Sequence, residues 1–151
     1  MMELSVVKRE EIKRGSTTGF VLGLIGGILG MLASIFSFIY GWIMLYLNLR
    51  LSEVLNIFNK VSALINIGVG GLFIFLFIVM IFASNWMRKF ERCKKGARIV
   101  LIIGILVLIY SIVSFILPFI FEVYLDSMIY WIPGILAVIG GVLGLIQGKK
   151  L

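Results

Sequence analysis

Charged residues fall in short clusters along this chain, and between the clusters lie four runs with no charge at all. These runs predict helical spans over about residues 20–46, 61–83, 99–121 and 129–147, on the scale of the roughly 20 apolar residues that carry a helix across hydrocarbon. Water is absent there, so each run must bond its own backbone and therefore coil. The expected fold is an all-α integral membrane four-helix bundle, a single domain over residues 1–151 with both ends on the cytoplasmic side. Tyr40, Trp42 and Tyr46 mark the far interface of the first span, where amphipathic rings favour the headgroup level.

Between the first two spans, residues 48–60 show a helical alternation. Leu51, Val54, Leu55 and Phe58 fall on one face, and Ser52, Glu53, Asn56, Asn59 and Lys60 on the other. Such an outer amphipathic segment lies in the interface or caps the bundle; a plain extension of spans one and two fits the pattern equally well. Pro118 comes late in span three, where it breaks or kinks the last turn. Pro133 stands near the start of span four, where a missing N–H costs little. A cleavable signal peptide would have an apolar core of about 7 to 15 residues and a small-residue cleavage site. The first run is longer and lacks that site, so it is expected to remain as a span.

Composition agrees with a lipid solvent: 62% of residues are hydrophobic, 14% are charged, and the mean hydropathy is +1.17. The net charge of +7 would suit nucleic acid, but its placement in clusters that flank apolar runs is better explained by membrane orientation. No nucleic-acid partner is expected. Fourteen Lys and Arg divide twelve against two: the N-terminal tail, the 84–98 loop and the C-terminal tail hold twelve, while Arg50 and Lys60 stand alone on the other side. Basic residues accumulate on the cytoplasmic face, so tails and basic loop are assigned there, in a multi-pass protein of the cell membrane.

Small residues recur at helix-packing intervals. Gly19, Gly23, Gly26, Gly27, Gly30 and Ser34 form overlapping small-xxx-small pairs in span one, and Gly140, Gly141, Gly144 and Gly148 do so in span four. Inside lipid, close approach of backbones across small residues is the main route to tight packing. These ten residues are the expected helix-packing set, with spans one and four as the close pair. The two spans share a phrase, Ile25-Gly26-Gly27-Ile28-Leu29-Gly30 against Ile139-Gly140-Gly141-Val142-Leu143-Gly144, but they cross the membrane in opposite senses, which excludes a parallel repeat.

After a short charged tail, residues 20–30 read Phe-Val-Leu-Gly-Leu-Ile-Gly-Gly-Ile-Leu-Gly. Together with four spans and a Gly-rich last helix, this resembles an uncharacterised family of small four-span membrane proteins of bacteria and archaea. The resemblance implies a four-helix fold and no known activity. The layout is also loosely similar to claudin and tetraspanin proteins, whose outer-loop cysteines have no counterpart in this chain.

Reactive chemistry is sparse. Histidine is absent and Cys93 is the only cysteine, which removes Cys/His metal sites, Cys/His nucleophiles and haem ligation by His. Proton and ion relays within a membrane run on ionisable side chains, and none falls in the four spans. Small multidrug transporters share the size and span number, but their mechanism needs an embedded carboxylate, which the first span does not offer. Asn66 is the polar intramembrane residue of most interest: it is either structural glue between helices or part of a substrate site. Glu122 and Asp126 are read as a solvated outer loop. Arg88, Lys89, Arg92, Lys94, Lys95 and Arg98 are expected to meet anionic headgroups or an acidic partner. The resulting expectation is a non-catalytic structural or accessory protein that packs by its Gly-rich faces, with itself as a homo-oligomer or within a larger membrane complex. A small oligomeric channel or transporter is the alternative. No cofactor is expected.

Overall fold

The computed structural model describes residues 16–50, 57–121 and 128–149. The tail charges before residue 16, the face formed by Leu51, Val54 and Leu55, and the carboxylates Glu122 and Asp126 lie outside the described residues. Among the described residues there are four α-helices: α1 over Thr17–Arg50, α2 over Ile57–Met87, α3 over Cys93–Phe121 and α4 over Trp131–Lys149. Short 3-10 turns cover Phe90–Arg92 and Met128–Tyr130. Each helix contains a stretch long and apolar enough to cross a membrane: Thr17–Arg50, Lys60–Met87, Cys93–Leu117 and Trp131–Gly148.

The helices outrun the charge-free stretches. Residues 48–50 end α1 and residues 57–60 begin α2, so continuation of the spans accounts for both ends of the 48–60 segment. Residues 93–98, read as loop, are the first turns of α3. The physical reason is that charge does not stop a helix whose charged side chains face outward: Lys94, Lys95 and Arg98 are exposed, while Cys93, Gly96, Ala97 and Val100 are buried. The basic loop contracts to the bend around Arg88–Arg92, closed by Lys89 N–H donating to Trp86 O at 3.0 Å and Arg92 N–H to Lys89 O at 3.1 Å. At the other end of the sequence, Ser16 caps α1 by accepting the Gly19 N–H on its hydroxyl at 3.0 Å, which satisfies one of the first-turn donors a helix leaves open.

Each helix packs on two neighbours, α1 on α2 and α4, and α3 on α2 and α4. Cross-helix neighbours give the register. Gly27 faces Ile81 and Gly41 faces Ala63 and Ile67, so α1 and α2 are antiparallel. Gly19 lies against Gly140 and Gly144, and Gly26 against Pro133 and Ala137, which makes α1 and α4 antiparallel. Gly104 faces Ala137 and Val138, and Gly141 faces Leu101, which makes α3 and α4 antiparallel. Buried positions along α2 follow 3–4 spacing through Ala63, Asn66, Gly70, Phe73, Phe77, Met80, Ser84 and Met87. That interval is the seam of helices that wrap with a left-handed supercoil.

Large apolar side chains point outward. Phe36 and Leu49 are each 68% exposed and Phe82 is 64% exposed, whereas Ser34, Ser84 and Ser111 are fully buried. Hydroxyls tolerate that interior because each donates to its own helix: Ser34 to Gly30 O, Ser84 to Met80 O and Ser111 to Val107 O, all at 2.8 Å. Small and polar inside with large and apolar outside is the arrangement suited to hydrocarbon, and in water such a surface would drive aggregation.

Candidate functional site

Three features of the bundle bear on function: the glycine seam, a set of buried polar atoms and the basic end. The seam comes first, because it decides how much open space the interior keeps. A Cβ placed on Gly19 would lie 2.8 Å from Gly140 O and 3.0 Å from Gly144 N, and one on Gly140 would lie 2.9 Å from Gly23 N. Backbone therefore meets backbone along α1 and α4 with no side chain between. Gly27 receives Ile81, Gly30 receives the Phe77 ring, and Gly148 receives the stem of Lys94. Thus the selected glycines are taken up by contacts within one chain. Gly68 is different: a Cβ there meets nothing within 4 Å.

Aromatic rings fill the axis where the four helices converge. Tyr130, fully buried in the turn before α4, stacks on Phe77 with ring centroids 6.5 Å apart and planes 4° apart. Its ring also meets Phe73 edge-on at 5.1 Å and Tyr110 edge-on at 5.9 Å. Such pairs contribute about 0.5–1.5 kcal/mol each beyond burial. Tyr130 was not singled out from the sequence, because its partners sit on α2 and α3 and share no spacing with it. Met80 and Met87 continue the filling toward the basic end, both with 0% exposure.

Beyond Tyr130, α1 and α2 run on together past the start of α4, and here the interior turns polar. Asn66 is 2% exposed and its Oδ1 has no hydrogen-bond partner. Ser114 Oγ, about 6 Å further along α3 than Tyr110, is buried and unpartnered as well. Asn48 donates its Nδ2 to Met44 O at 2.8 Å, while its Oδ1 has no partner. The bundle is thus closed by glycine and aromatic packing in one part and lined with spare acceptors in the other.

At the basic end, side chains sort by what they touch. Arg88 lies over the Phe20 ring, 5.1 Å from its centroid, and Arg92 over Trp86 at 6.0 Å. Guanidinium groups on ring faces gain about 0.5–1 kcal/mol at exposed sites. Lys89 and Lys95 are exposed. Lys94 and Arg98 line a groove with Val142, Leu145 and Ile146. Cys93, within the segment 84–98 expected as loop, is fully buried, with its thiol pointing to Gly144 O at 3.7 Å. Among the described residues no group of three His, Cys, Asp or Glu could hold a metal ion.

No protein-family model, curated protein or solved structure matches this chain.

Proposed function

We propose that this chain is a four-pass protein of the cell membrane, with both ends and the Arg88–Arg92 turn in the cytoplasm, whose role is structural or accessory rather than catalytic. The observation that carries it is the seam of α1 and α4, where Gly19 and Gly140 bring backbones to within 2.8 Å of a would-be Cβ. Together with Phe77, Met80, Met87 and Tyr130 at 0% exposure, the seam fills the interior between the helices in the basic half, so a substrate has no space inside the bundle there to be turned over. Since the glycines hold one chain together, association with a second copy or a larger complex falls to the outward Ile, Leu, Phe and Trp faces. Native mass spectrometry after gentle detergent extraction tests this: a complex with itself or with other membrane subunits is expected. Strict monomers from every detergent would remove the assembly role.

A second function, a small channel or transporter, is favoured by one observation, the unpartnered oxygens of Asn66 and Ser114 inside the other half. Liposome reconstitution separates the two. Flux of ions or small solutes above empty vesicles would favour transport, and the structural role predicts none.

A further inference from the structure

We infer that the groove between α3 and α4 at the basic end binds an anionic glycerophospholipid, with its phosphate between Lys94 and Arg98 and an acyl chain along Val142, Leu145 and Ile146. This site rests on the membrane-embedded orientation proposed above and adds a specific lipid to it. Four features of the groove support the assignment.

First, the two cations are one helical turn apart on α3, a spacing that places them roughly 5–6 Å apart at Cβ on one face. Both line the same cavity, whose volume is about 410 Å³. Second, no carboxylate among the described residues pairs with either of them. Arg88 and Arg92 rest on aromatic rings, whereas Lys94 and Arg98 are the basic residues that line the groove. Third, Lys94 is positioned by packing. A Cβ on Gly148 would lie 3.0 Å from Lys94 Cγ and 3.8 Å from its Cε, so the bare backbone of Gly148 lets the lysine stem cross onto α4 and hold its ammonium at the groove. A Cβ at 148 would make that stem give by a few tenths of an ångström. Fourth, the wall below the cations is apolar and open: Val142 is 40% and Ile146 is 48% exposed, one helical turn apart on α4.

Charge above and hydrocarbon below is the chemistry of a lipid. A soluble phosphate would gain from the cations alone and leave the apolar wall wet. A zwitterionic lipid would use the wall but bring its own cation toward Lys94 and Arg98. An anionic glycerophospholipid uses both.

The experiment is a native mass-spectrometry titration of the full chain with phosphatidylglycerol and with phosphatidylcholine of identical acyl chains. Three proteins are compared: the wild type, the double variant Lys94→Gln/Arg98→Gln, and the double variant Lys89→Gln/Arg92→Gln, which removes the same charge from the neighbouring turn. The wild type is expected to prefer phosphatidylglycerol. The 94/98 variant should lose on the order of tenfold of that preference, from about two basic contacts, and the 89/92 variant should keep most of it. Equal loss in both variants would mean diffuse surface charge and overturn the site, as would no preference in the wild type. Displacement of the lipid by millimolar glycerol phosphate would assign the cations to a soluble anion and also overturn it. Failure to retain either lipid would count against the membrane orientation itself, which separates that outcome from loss of headgroup preference. Protection of the buried Cys93 thiol reports that each variant is folded.

Discussion

The Phe77 ring occupies the space that Gly30 leaves by having no side chain: a Cβ on Gly30 would fall among the Cε1, Cζ and Cδ1 atoms of that ring. Phe77 is also stacked under Tyr130, so it cannot retreat without breaking the aromatic cluster. Gly30→Ala is therefore expected to destabilise the bundle by about 1–3 kcal/mol, the usual range for overpacking. Phe77→Leu in the same chain should return part of that loss, since the smaller side chain clears the new methyl. Thermal unfolding in mild detergent measures both, and the absence of rescue in the double variant would contradict this geometry.

Glycines of equal helix propensity should respond in opposite directions. At Gly140 the atoms in the way are backbone, Gly23 N at 2.9 Å and Gly19 O at 3.1 Å, and backbone cannot rotate aside. Gly140→Ala is expected to cost at least about 1–3 kcal/mol. Gly68→Ala adds a methyl in open space and should stabilise α2 by about 0.5–1 kcal/mol through helix propensity. Comparable melting shifts for the two variants would argue against the seam.

Four helices were legible in the charge-free runs, because unbonded peptide groups in hydrocarbon leave no competing structure. Their ends were not. Lys94, Lys95 and Arg98 read as loop because charge ordinarily marks a span's edge, yet Cys93, Gly96, Ala97 and Val100 continue the buried stripe at helical spacing. That stripe was the available signal. Gly96 and Gly104 escaped notice for a related reason: each stands alone among bulky residues and makes no repeating ridge, although Gly96 lies against Ala83 O and Gly104 against Val138 N. The burial of Tyr130 needed the register of α2, α3 and α4 at once, which the spacing within a single helix does not contain.

Asn66 provides a test of the polar half. Its Oδ1 is buried without a partner, and an unpaired acceptor loses its solvation with no bond in return. Asn66→Leu, close in volume, is expected to leave stability unchanged or raise it by about 1 kcal/mol. A loss greater than about 1 kcal/mol would show that the amide is bonded across the bundle in the membrane.

Cys93 has 0% exposure and should behave as a folding reporter rather than a surface thiol. A water-soluble maleimide is expected to label it at least roughly tenfold more slowly in the folded protein than after denaturation in dodecyl sulfate, since reaction requires local opening. Equal rates in both states would contradict the packing of α3 against α4.

The proposed role and the lipid site both require a four-pass topology with the Arg88–Arg92 turn inside the cell. The direct measurement is accessibility of single cysteines in a Cys93→Ala background, with Lys89→Cys at the exposed turn and Arg50→Cys at the opposite end of the bundle. In intact cells a membrane-impermeant maleimide is predicted to label Arg50→Cys at once and Lys89→Cys only after the membrane is opened. Labelling of Lys89→Cys from outside an intact cell, or of both positions together, would contradict it.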